Sequence, residues 1–174
     1  MKSLLFLIIF FESFISLGHT RWKLNGTTPP RTDNSGIKSS GAPCGTRKYN
    51  TRTKLKAGQT LTIEWEETID HPGHYEIWFS EANDENWILL KQIADDQSGR
   101  DTTPHFFSNT IIVPNVTCTQ CTLQIRQLMT DKSPPSLYFS CADIDISPTH
   151  PVHGGSPSPE PNPPPNKTPV TCEE

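Results

Sequence analysis

An all-β fold, an antiparallel sandwich of immunoglobulin or fibronectin type III kind, is what this chain predicts, and three observations carry it. Apolar and polar residues alternate with period 2 in several short runs. Beyond the first eighteen residues, no stretch shows the 3.6-residue apolar period of an amphipathic helix. Polar turns bearing glycine and proline separate the runs.

Taken in order, the first eighteen residues stand apart. Lys2 is followed by the apolar run Leu4 to Phe11, with Phe14 to Leu17 extending it, and Ser16 and Gly18 are the small residues of a cleavage site. Glu12 interrupts the run, so residues 1–18 read as a secretory signal that leaves His19 as the mature N-terminus. The Gly-, Pro-, Ser- and Thr-rich stretch Asn25 to Asn50 is expected to be a long ordered loop over one end of the sandwich. In Gln59 to Glu66, Leu61, Ile63 and Trp65 face one way and Thr62, Glu64 and Glu66 the other, which is a half-buried strand. Tyr75 to Ser80 repeats the pattern with Tyr75, Ile77 and Phe79 inward. Trp87 to Leu90, Asn109 to Val113, Thr122 to Met129 and Leu137 to Ile146 are further strands, for six or seven in all. The turn Asp131-Lys-Ser-Pro-Pro135 should pair the last two as antiparallel neighbours. The predicted domain is therefore 19–147. Residues 148–174 hold nine of the seventeen prolines and read as a disordered, extended tail.

Charge and cysteines narrow the class. The net charge of −4 survives loss of Lys2 and Glu12, and offers no footprint for nucleic acid or, once the signal is removed, for a membrane. Cys44, Cys118, Cys121 and Cys141 suit two disulfides in an oxidising compartment, in any of three connectivities, and Cys172 is left in the tail. Asn25, Asn115 and Asn166 begin glycosylation tripeptides. The chain reads as secreted.

Phosphate-binding loops, nucleophile elbows and zinc-protease helices are missing from the sequence. Glu64 and Glu66 fall on the outer face of their strand, against a converging carboxylate pair. Of the six histidines, His150 and His153 lie in the tail, His105 in a loop beside a strand start, and His74 at a strand start on the surface. His71 follows a strand in the turn Asp70-His-Pro-Gly73, at one end of the sandwich. His19 is chemically distinct, because the α-amine of a terminal histidine and its ring can chelate one metal together. An α-amine ordinarily titrates at roughly pH 7.7–8.0, so a metal can displace its proton near neutrality. With a second imidazole the set is three nitrogens, which suits copper.

Several segments go further than spacing. His19-Thr-Arg-Trp-Lys-Leu-Asn-Gly, Gly36-Ile-Lys, Gly41-Ala-Pro-Cys-Gly and Glu66-Glu-Thr-Ile-Asp-His-Pro-Gly occur in order. Pro104-His-Phe-Phe-Ser, Cys118-Thr-Gln-Cys-Thr-Leu-Gln and Leu137-Tyr-Phe-Ser-Cys-Ala-Asp-Ile follow. Together they resemble secreted proteins similar to lytic polysaccharide monooxygenases, over nearly all of 19–147. The resemblance implies one copper ion, cycling between +1 and +2, held by the amine and ring of His19 and by His71, with Tyr138 as axial aromatic. It implies pairing of Cys44 with Cys141 and of Cys118 with Cys121. Many relatives carry Gln or Glu two residues before the axial tyrosine, where this chain has Ser136.

The expected activity is oxidative cleavage of an insoluble polysaccharide, chitin or cellulose, by a monomer supplied by an external electron donor. Arg21 and Trp22, beside the terminus, are candidate polymer-facing residues, and either could instead pack under the loop. Ser136 and the lack of an obvious aromatic row point to the rival, a non-catalytic copper- or carbohydrate-binding sandwich.

Overall fold

The computed structural model describes residues 19–31, Cys44, 52–99 and 102–153. Eight strands follow in order: β1 (Thr20–Trp22), β2 (Thr53–Lys56), β3 (Thr60–Glu67), β4 (Gly73–Ser80), β5 (Ile88–Ala94), β6 (His105–Ile112), β7 (Cys118–Met129) and β8 (Ser136–Ser147). They form two sheets, one in the order β1-β3-β6 and the other β2-β8-β7-β4-β5. The sandwich is thus as expected, with one exception to antiparallel pairing: β2 runs parallel to β8. Neither β1 nor β2 was visible as an alternating run, because three or four residues are too few to display a period. Among the described residues, no helix is long and apolar enough to cross a membrane.

The period-2 pattern does what it predicts. Leu61, Ile63 and Trp65 of β3 meet Tyr75, Ile77 and Phe79 of β4 in the core, all at 2% exposure or less. Trp65 stacks on Phe107 with ring centroids 5.2 Å apart, and Tyr75 closes on both. Such aromatic contacts add roughly 0.5–1.5 kcal/mol each beyond the area they bury. Trp22 joins this core at 0% exposure, which corrects its candidacy as a polymer-facing residue. Strand alternation is the reason: Trp22 pairs with Trp65 in register and must share its inward face.

Two tethers hold the N-terminal segment onto β7 and β8. The buried guanidinium of Arg31 donates to Asp84, Asp143 and Thr122. Burial works against its charge, but the two carboxylates outweigh that and raise its pKa. Cys44 is bonded to Cys141, the second tether, and Cys118 to Cys121 within β7. Residues 32–43 and 45–50 of the expected loop, the 1–18 segment, Asn166 and Cys172 lie outside the described residues.

His150 and His153 are not simply solvated. His150 Nδ1 lies 3.2 Å from the Leu55 carbonyl, and Gln59 bonds the main chain of His153. The chain therefore stays docked on the sandwich past the expected boundary at 147.

Candidate metal centre

At one end of the sandwich the apolar core is capped by a polar layer. In the smaller sheet, the register aligns Thr20, Glu67 and His105 across β1, β3 and β6. In the larger sheet, Tyr75, Gln127 and Tyr138 align across β4, β7 and β8. Both rows continue the inward faces of their strands, so they face each other. Thr20, Glu67, His105, Tyr75 and Gln127 are all buried. The loop assignment of His105 is thereby corrected: it is the first residue of β6 and 3% exposed.

His19 precedes this layer and His71 follows it by one short turn, so both imidazoles come to the same end. Their ring centroids lie 4.9 Å apart in a stacked arrangement, and the Tyr138 ring stacks on His19 at 3.8 Å. Three residues from distant parts of the chain thus share one small volume. Asp131, in the turn between β7 and β8, lies 3.0 Å from His71 Nδ1. A carboxylate there favours the tautomer with the proton on Nδ1, leaving the Nε2 lone pair for a ligand. The His71 turn is pinned on its other side as well, since Pro72 O accepts from the Thr130 main chain at 2.8 Å. Two imidazoles and a phenol, without thiolate, form a donor set that fits copper.

Beneath the histidines, Glu67 gathers partners from three elements. It accepts from His105 Nδ1 at 2.9 Å, from Gln127 Nε2, and from the His71 backbone N–H at 3.4 Å. Burial pushes its carboxyl above the usual range, partly opposed by the hydrogen bond from His105. Tyr75 is pushed up too, by burial and by the Glu67 charge. Glu67, Asp70 and His105 place one ligand atom each within 4.8 Å of one another, although Glu67 and His105 already hydrogen-bond.

Other expected positions sort clearly. Ser136 opens β8 on the face of Tyr138 and is half-buried. Arg21 lies on the outward face of β1, paired with the Glu66 carboxylate, which it covers so that Glu66 is 8% exposed rather than solvated. His74 is on the outer face of β4 and pairs with Glu76 at 3.3 Å, away from the two rings. Asn25 and Asn115 are exposed.

Glu67, Gln127, Asp131 and Phe106 also belong to this end, although none stands out in the sequence as a site residue. Phe106, 60% exposed, is an exposed aromatic at this end, in register with Glu66 on the outer face of the smaller sheet. Its signal was the adjacent pair Phe106-Phe107, of which a strand can bury only one.

A family model described as lytic polysaccharide mono-oxygenase, cellulose-degrading, matches residues 18–144. A lytic polysaccharide monooxygenase from Thermobia domestica, solved in the Cu(I) state, has 16% identity and a TM-score of 0.51 over 65% of this chain and 75% of that one. The neutron structure of a Jonesia denitrificans lytic polysaccharide monooxygenase has 14% identity and a TM-score of 0.48 over 74% of this chain and 100% of that one. For the Streptomyces lividans enzyme the values are 14% and 0.44, over 57% and 60%. Among curated proteins none matches.

Proposed function

This chain belongs to the lytic polysaccharide mono-oxygenase family, and we propose that it cleaves an insoluble polysaccharide, chitin or cellulose, at one copper ion held by His19, His71 and Tyr138. The observation that carries this reading is the convergence of those three rings, far apart along the chain, at one end of the sandwich. His19 would contribute its ring and, once residues 1–18 are removed, its α-amine. His71 would contribute Nε2, with Nδ1 engaged by Asp131.

Copper, when bound, supplies the one-electron chemistry that activates oxygen or peroxide for attack on a sugar C–H bond, with electrons from an external donor. The chain's own residues orient and shield. Asp131 sets the tautomer of His71, and Tyr138 lies flat on His19 and limits how its ring can turn. The buried aromatic core beneath makes the platform rigid, which an open site facing a solid polymer requires. Phe106, Ile69 and the exposed turn 131–135 supply the surface against which polymer lies. Two disulfides suit the secreted setting this reading needs.

The test is copper titration of the processed protein by electron paramagnetic resonance, beside a form with one extra residue before His19. One tightly held copper with nitrogen-dominated splitting, lost in the extended form, supports the site. Oxidised oligosaccharides released from chitin or cellulose, with reductant and peroxide supplied, then establish the reaction. Ser136 favours a second reading, a copper-binding sandwich without oxygenase activity. Tight copper binding with no oxidised product from any polymer would select it.

A further inference from the structure

We propose that Glu67 is a positioning residue that sets the spacing between His19 and His71. The inference rests on the copper reading above and deepens it, by naming the group through which the two histidines are held in relation to each other.

Along β3 the inward residues run Leu61, Ile63, Trp65 and Glu67, so a carboxylate closes an otherwise apolar series. It has 0% exposure. Burying a carboxylate is strongly unfavourable unless its lone pairs are engaged. Here they are engaged by groups from three different elements. His105 Nδ1 comes from the neighbouring strand of the same sheet, and Gln127 Nε2 from the opposite sheet. The backbone N–H of His71 comes from the turn itself. One side chain thus joins both sheets to the segment that carries a candidate ligand.

The next residue holds the other histidine. Thr68 donates its backbone N–H to the His19 carbonyl at 3.0 Å, continuing the register in which Thr20 opposes Glu67. His19 is therefore fixed to the end of β3 by main chain, and His71 to the same point by the Glu67 carboxylate. A movement of that carboxylate changes the distance between the rings without altering either ring's own chemistry. Oε1 accepts from Gln127 and from His71, and Oε2 faces His105 Nδ1, so both carboxylate oxygens are engaged. A glutamine there keeps the shape but presents one acceptor and one donor, so it turns a donor toward His105 or Gln127.

The experiment compares processed wild type with Glu67→Gln. Three readouts are taken: the copper(II) paramagnetic spectrum, copper affinity by calorimetry, and thermal unfolding of the metal-free protein. A positioning role predicts a folded variant that still binds one copper. Its affinity should be roughly 10–100-fold weaker, the cost typical of lost outer-shell support, and its splitting altered. A spectrum and affinity matching wild type overturn the proposal, whatever happens to the melting temperature. Should Glu67→Gln fail to fold, Gln127→Met decides. It removes the donor from the opposite sheet and leaves Glu67 with His71, so a smaller spectral change of the same kind is expected, and no change overturns the inference. Absence of copper binding in the unsubstituted protein overturns the copper reading and this inference together. That outcome is told apart because it appears before any substitution is made.

Discussion

The end of the sandwich depends on single hydrogen bonds to a degree its core does not. Asp131 is the clearest case, with one carboxylate oxygen 3.0 Å from His71 Nδ1 in a turn that is otherwise exposed. A histidine that binds metal through one nitrogen gains basicity and a fixed orientation when the other donates to a carboxylate. In the proposed site, Asp131→Asn should therefore weaken copper binding by roughly 10–100-fold, because an amide oxygen is a poorer acceptor and the amide N–H can instead support the tautomer with the proton on Nε2. Calorimetric titration of the processed variant checks this, and the melting temperature of the metal-free protein should barely move. Its place just after a strand marks His71, and family resemblance marks Tyr138, but Asp131 lies 60 residues from its partner, and nothing local marks it.

At the scale of strands and turns, the critical junction is where the His71 turn feeds into β4. Gly73 pairs with Met129 so closely that a Cβ there would meet the Leu128 carbonyl oxygen at 1.9 Å and its carbon at 3.0 Å. Backbone, not a flexible side chain, stands in the way, so β4 and β7 would have to separate at their ends. Gly73→Ala should destabilise the fold by about 1–3 kcal/mol, the usual range for overpacking. Because the same turn carries His71, it should also weaken copper binding, whereas Gly58→Ala, where a Cβ meets nothing within 4 Å but φ is +74°, should cost about 1 kcal/mol of backbone strain and leave copper binding unchanged. Denaturant unfolding and copper titration of both variants check the contrast. The core strands were legible because alternation over eight or more residues is unambiguous, and the start of β6 was not, because His105 is a polar residue on an inward face.

For the molecule as a whole, the question is what keeps the segment after β1 on the sandwich. Arg31 answers much of it, with a buried guanidinium shared between Asp84 in the β4–β5 turn and Asp143 of β8. Removing one partner from such a buried set leaves uncompensated charge, which costs about 3–5 kcal/mol. Arg31→Ala should lose stability on that order in denaturant unfolding. A loss below about 1 kcal/mol would mean that the Cys44–Cys141 bond alone secures the segment. Arg52, which also reaches Asp143 at 3.5 Å, limits the damage but cannot replace the contacts to Asp84.

Sequence by itself determined the sandwich class, most of its long strands, the inward and outward faces and the four cysteines that pair, since all of these follow from local periodicity, turn chemistry and composition. It also marked His19 as a candidate nitrogen donor, and family resemblance added His71. Tertiary structure alone decided that Trp22 is core rather than surface, that β2 runs parallel to β8, and that Glu67, Gln127 and His105 form one buried layer beneath the two histidines. Those facts come from register across strands far apart in the chain. A polar residue such as Glu67 looks the same in sequence whether water or the opposite sheet receives it, and only packing decides which.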